Sequence, residues 1–374
     1  MTTLRSAFAP LLALALCVLT PAAAVADDHP QAEGKKIKVA ILTGQNNHGW
    51  MMDTPVLKNI LDNAGLFDTT IIQTPDANDP DKAQKWAAFN PTFADYHVVV
   101  INYNNKIRNG DMLPKRVQDN FETYIADGGK AFSFHAGNNA FQGWDAYEQM
   151  IGLLWRGNNY GKRVYFDDQG NKVVEDKGEG PGAGHGRKHS YLVDTRDNDH
   201  PVFQGLPDQW MHNVDELYHG QRGPAENMTV LLTAYSDKNT GGTGKHEAVV
   251  WTIPFGEGLV MTNVMGHWWK NDKDAPALKC AGFQTIFTRS VEWLATGKVT
   301  QPVPDDFPTK DAVSVRELDK FEPLAFIYVP GVPGSDPFAA CGCGQHDTRD
   351  AFVPASIKLA HLFEPAPAQA PVTR

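Results

Sequence analysis

Residues 131–139 read AFSFHAGNN, an apolar run that ends on His135 and breaks at once into glycine and paired asparagines. An apolar strand that stops at a polar residue before a turn delivers that residue to the crevice at the carboxyl edge of an open α/β sheet, where ligands bind. Residues 258–267, GLVMTNVMGH, repeat the design and end on His267. Two histidines carried to strand ends in the same way predict one shared site.

The flanking sequence supplies the rest of such a sheet. KIKVAIL (36–42), TTIIQT (69–74), YHVVVIN (96–102) and KAFSFH (130–135) are short runs rich in branched residues. Between them, residues 54–64, 81–89 and 113–126 carry apolar positions at helical spacing. Strands alternating with helices predict an α/β fold whose parallel sheet is covered on both faces. From 157 to 248 the character changes to loops and β-like runs, including GEGPGAGHGRKH (178–189), and reads as an insertion over the sheet's carboxyl edge. VVWTI and GLVMTNV then resume the core, and residues 276–296 supply a last helix. Residues 299–374 are proline-rich and read as an extension with little fold of its own.

The formal charge of −10 over 374 residues argues against a nucleic-acid surface, which needs a clustered basic face. Residues 1–26 have the form of an export signal: Arg5, an apolar stretch from 7 to 19, and Ala24-Val25-Ala26 as a small-x-small cleavage pattern. A periplasmic or secreted mature chain starting near Asp27 follows. No later run approaches the roughly 20 apolar residues that span a bilayer. Outside the signal the cysteines are Cys280, Cys341 and Cys343, an odd set that gives no full disulfide framework. Cys280 sits on an apolar helical pattern and reads as a buried structural thiol, while Cys341 and Cys343 receive no function.

Other polar residues are expected around the same crevice. Asn46, Asn47 and His48 follow the first strand, with Trp50 close by, and Asn138 and Asn139 follow His135. Amides and indoles are the vocabulary of hydroxyl-rich ligands, although asparagine serves tight turns equally well. Asp215 and Glu216 are neighbours in a β-like run, so one of them faces the crevice, and Tyr218 shares the face of Glu216. His212 is a further candidate to line it. GGTGKH (241–246) resembles a phosphate loop but lacks its first glycine and has His246 in place of Ser or Thr. The two histidines of HGRKH (185–189) lie in a glycine-rich loop, which is read as a cover for the substrate.

TGQNNHGW, FHAGNNAF, HP at His200, DELY and GH at His267, in that order, resemble the ThuA-like family, named for trehalose utilisation. The resemblance spans residues 36–298 and implies a flavodoxin-like fold of the class I glutamine amidotransferase kind. In those amidotransferases the elbow that corresponds to FHAGN carries a cysteine nucleophile, whereas this chain has His135, so glutamine amide transfer is excluded. The family pattern of an acidic residue, Glu, an apolar residue and Tyr favours Glu216 over Asp215. His135, His267 and Glu216 are therefore the candidate catalytic residues, able to move protons or to hold a divalent metal ion. The resemblance implies sugar catabolism, and 3-keto-glycosides in particular, with a small carbohydrate as substrate. A ketone at C3 acidifies the C2 proton, so a base can remove it and the aglycone can leave from C1. A non-catalytic carbohydrate-binding protein, or a metal-dependent hydrolase of unoxidised sugar, would use the same lining.

Overall fold

The computed structural model describes residues 35–107 and 109–324. The predicted export signal and both Cys341 and Cys343 lie outside the described residues. The first strand, β1 (Ile37–Thr43), runs into helix α1 (Trp50–Asn63) and strand β2 (Phe67–Gln73). Then come α2 (Lys82–Ala88), β3 (Val98–Ile101), α3 (Lys115–Ala126), β4 (Lys130–Phe134) and α4 (Asp145–Ile151). These bounds follow the sequence expectation closely, apart from α1, which begins four residues early. After β4 the expected helix start is a single tight turn, His135–Asn139, and α4 begins only at Asp145.

Alternation in β1 explains the layering. Ile37, Val39 and Ile41 join one buried cluster, with α1, while Ala40 and Leu42 join the other, with α3 and α4. Each strand thus buries both faces, which is why it reads as a continuous apolar run. The second helix of the first layer is α6 (Ala281–Thr296), preceded by the short α5 (Pro276–Lys279), with Cys280 between them at 0% exposure.

Between α4 and α5 the chain forms β5 (Arg163–Phe166), β6 (Lys172–Glu175), β7 (Gly184–His185), β8 (His189–Thr195) and β9 (Gln209–Asp215). It continues with β10 (Tyr218–His219), β11 (Thr229–Tyr235), β12 (His246–Phe255) and β13 (Gly258–Asn263). The main sheet has the order β2-β1-β3-β4-β13-β12-β11-β8-β9. Pairs from β2 through β13 are parallel; from β12 outward they are antiparallel.

The stretch 157–248 therefore does two things. Its strands β8, β9 and β11 widen the sheet, while β7 and β10 pair into a small ribbon of their own. GGTGKH is the end of the turn joining β11 to β12, and Thr240 of that turn accepts a hydrogen bond from Arg187. The start of the extension is less loose than its composition implies. Ser314 accepts from the backbone of Ala281, and Phe307, Leu318 and Phe321 pack on the core. Among the described residues no helix is long and apolar enough to cross a membrane.

Candidate metal centre

Three segments that follow parallel strands bring imidazoles together. The turn after β1 needs Gly44, whose φ is +127° and whose added Cβ would lie 2.3 Å from Thr74 Oγ1. It leads to His48, while β4 leads directly to His135 and β13 leads to His267. The ring centroids of His48 and His135 are 4.9 Å apart, of His48 and His267 5.1 Å, and of His135 and His267 5.3 Å. His135 has φ +39°, a region that non-glycine residues rarely adopt and that costs about 1–3 kcal/mol. Strain of this kind turns the imidazole out of the strand line and into the crevice.

Glu216 comes from the opposite side, just after β9. One ligand atom from each of His48, His135, Glu216 and His267 lies within 4.8 Å of the other three. Glu216 Oε1 is 3.2 Å from His267 Nε2, yet that nitrogen is buried without an aligned hydrogen-bond partner. Glu216 faces the cluster and Asp215 points away from it, with Tyr218 on the Glu216 side. The Tyr218 hydroxyl donates to His135 Nε2 at 2.9 Å, because Nδ1 of the same ring uses its proton on the Val264 carbonyl at 2.7 Å.

Each first contact is held from behind. His48 Nδ1 lies 3.2 Å from Asn46 Oδ1 and 3.1 Å from Asn47 Oδ1, which leaves Nε2 for the centre. Asn46 donates in turn to Asn102, and Asn102 donates to Asp53 and Thr54. Such outer partners fix the ring's tautomer and direction. Burial keeps all three imidazoles neutral: it takes His135 down to about 4 and holds His48 and His267 well below the usual range. Burial also pushes Glu216 up to about 8, with Lys188 opposing and Asp215 assisting. Three neutral imidazole nitrogens, one of them the orphaned Nε2 of His267, and one carboxyl at one point fit a divalent transition-metal ion, in a set one ligand larger than expected.

The other expected residues divide. Asn46 and Asn47 are buried and hold His48 through their side-chain oxygens. Asn138 donates to Gln221 at 2.5 Å and Asn139 accepts from Arg156 at 3.0 Å, so both brace the turn after His135. His212 is a correction: at 0% exposure it lies beneath the site, paired with Asp215 at 2.8 Å, because its strand turns it to the buried face. Trp50 is likewise a core residue at 2% exposure. Indoles at the mouth come instead from Trp269, 5.2 Å from the His48 ring, and Trp155, 4.4 Å from the Tyr218 ring, both only partly buried.

Two residues of the glycine-rich loop also reach the mouth. His185 Nε2 is 3.6 Å from Glu216 Oε2 with its side chain 37% exposed, and Lys188 pairs with Asp272 at 2.5 Å across the opening. Sequence supplied a signal for this loop, its closely spaced basic residues, but not for which residue faces the centre. Arrangement of His185 depends on the ribbon of β7 and β10, where Tyr218 registers against His185.

Comparison with known proteins agrees with this architecture. A family model described as trehalose utilisation, ThuA, matches residues 38–294. A ThuA-like protein from Parabacteroides merdae, solved by crystallography, is 40% identical, with a TM-score of 0.69 over 75% of this chain and 98% of its own. A second ThuA-like protein, from Bacteroides uniformis, is 17% identical and covers 73% of this chain and 97% of its own, with a TM-score of 0.46. A comparison with curated proteins gives no match. The chain thus belongs to the ThuA-like family, whose description as trehalose utilisation suggests a role in carbohydrate metabolism.

Proposed function

We propose that this chain is an exported enzyme that cleaves glycosides carrying a ketone at C3, using a divalent ion held by His48, His135, Glu216 and His267. The observation that carries the reading is the convergence of those four donor atoms within 4.8 Å in a buried crevice. A divalent ion at that point supplies Lewis acidity to a ketone and its neighbouring hydroxyl. Holding the ion would engage the three imidazoles, His135 through the Nε2 lone pair that otherwise accepts from Tyr218, so the Tyr218 hydroxyl is released and proton transfer falls to groups beside the imidazoles.

Tyr218 and His185 are those groups. The Tyr218 hydroxyl sits 2.9 Å from His135 Nε2, and His185 stands at the open side, 3.6 Å from Glu216. In the proposed elimination the C2–H and C1–O bonds break and a C1=C2 double bond forms. One side chain takes the C2 proton; the other donates a proton to the departing oxygen. Trp155 and Trp269 offer apolar area to sugar faces at the mouth. The leader of residues 1–26 supports export, and intact mass of the exported chain would place its first residue at Asp27.

The test is incubation of purified protein with a disaccharide and with its 3-keto form, with and without chelator, following products by mass. Release of the second sugar from the 3-keto form alone, lost with chelator and restored by added divalent ion, is the expected result. Cleavage of the unoxidised disaccharide would replace the reading with metal-dependent hydrolysis. Turnover of neither would overturn it.

A further inference from the structure

Asp215 was the carboxylate the sequence set aside, and the structure surrounds it with hydrogen-bond donors. Its side chain is wholly buried. Oδ1 accepts from the backbone N–H of Glu216 at 2.7 Å and of His267 at 3.1 Å. Oδ2 accepts from Gly266 N–H at 2.8 Å and from His212 Nε2 at 2.8 Å. All the acceptor positions of a carboxylate are thereby used.

Two of those donors belong to residues of the proposed centre that approach from different parts of the sheet. Glu216 follows β9, an edge strand; His267 follows β13, whose neighbours are β4 and β12. No strand pairing joins them. The single carboxylate between their backbones does, and it also fixes the Gly266 turn, where φ is +104° and an added Cβ would lie 2.5 Å from the Phe134 ring. His212 holds Asp215 from below, its own ring packed against Tyr191 at 5.1 Å and Trp210 at 5.8 Å.

We infer that Asp215 is the positioning residue of the centre: it sets the spacing of Glu216 and His267 for a divalent ion without touching the ion. The inference rests on the metal reading above. Asn at this position has nearly the same shape but turns an NH2 group toward N–H donors that need an acceptor. The Glu216 and His267 backbones then lose their common anchor, while the imidazoles and carboxyl that bind remain.

Co²⁺ is the probe, because its visible absorption reports the ligand geometry as well as occupancy. Asp215→Asn in the full chain should weaken Co²⁺ binding by about 10- to 100-fold and alter the band pattern, the range typical for an outer partner of metal ligands. Val291→Ala, a core truncation in α6 at a residue 0% exposed, should lower thermal stability and leave the Co²⁺ affinity unchanged. The cost of Asp215→Asn should shrink when Glu216→Gln is already present, since coupled residues are not additive. If Asp215→Asn fails to fold, His212→Gln reads the same link from one step further back and should weaken Co²⁺ severalfold. Wild-type protein that does not bind Co²⁺ overturns the metal reading and this inference with it. Wild-type binding with an unchanged affinity in folded Asp215→Asn, or in His212→Gln where that is the variant used, overturns the inference alone.

Discussion

The two halves of the sheet contribute differently to one crevice. The parallel half, β2 through β13, sends His48, His135 and His267 from turns at its carboxyl edge; nearby amides or backbone brace the rings of His48 and His135, and Asp215 holds the backbone N–H of His267. The antiparallel half and its ribbon send Glu216, Tyr218 and His185, which are held by pairings between distant segments. Donors of the first kind are set by a rigid scaffold with both faces buried. Two of the second kind stand nearer solvent, the Glu216 side chain at 11% exposed and His185 at 37%, while Tyr218 is as buried as the histidines. The difference suggests a division between a fixed ion-holding side and a side that meets the substrate.

Removing a donor from the parallel side is the hardest blow. His135→Ala should lower turnover on the 3-keto substrate by roughly a hundredfold or more and abolish tight Co²⁺ binding. The fold should survive, because the residue lies at its strand's end; alanine keeps the same positive φ, at a modest cost in stability. Steady-state rates with a far-UV spectrum check this, and full activity in a folded variant would break the division.

A smaller loss is expected across the crevice. Tyr218→Phe removes the hydroxyl on His135 Nε2 without removing a donor to the ion, so Co²⁺ affinity should hold or rise while turnover drops about a hundredfold, the low end for a lost proton-transfer group. A parallel loss of Co²⁺ binding would show instead that Tyr218 belongs to the holding side.

The buried carboxyl of Glu216 gives a pH signature. Folded protein keeps that proton up to about 8, whereas an unfolded chain releases it near 4.5, so between those values the folded state binds the extra proton. Stability from this group is accordingly present at low pH and falls as pH rises through the window. His135 works in the opposite sense, from about 4 to 6.5. In metal-free protein the melting temperature of the wild type should therefore fall relative to Glu216→Gln by a few degrees between pH 6.5 and 8. Equal slopes in the two proteins would remove the buried carboxyl from the account.

The smallest effect is expected at the rim. Lys188 and Asp272 are 37% and 39% exposed, and an ion pair so placed contributes no more than about 1 kcal/mol. Lys188→Ala should leave the melting temperature almost unchanged and alter KM more than kcat. A large stability loss would mean that the loop is part of the scaffold and not a cover.

How much of this was legible follows the same division. The branched runs before Thr43, Asn102 and His135 carry their strand identity locally, and placing His135 at an elbow needed only the break into HAGNN. The alternation of Asp215, Glu216 and Tyr218 was likewise enough to turn Glu216 and Tyr218 to one side. His48 was expected near the crevice but as a contact for sugar, since a turn rich in asparagine carries no ligand spacing. His212 was placed in the crevice because its strand partners, Tyr191 above all, lie outside any local pattern.

Composition and periodicity by themselves determined the α/β class, the parallel strands and the meeting of His135 with His267 at one edge. These rest on a repeat of two in strands and 3.6 in helices, which each segment carries alone. Tertiary structure alone decided that His48 completes the donor set, that Glu216 arrives from beyond β12 and that Asp215 ties its backbone to that of His267. Those outcomes depend on the order and register of strands far apart in the chain, where a single step of pairing reverses every side chain.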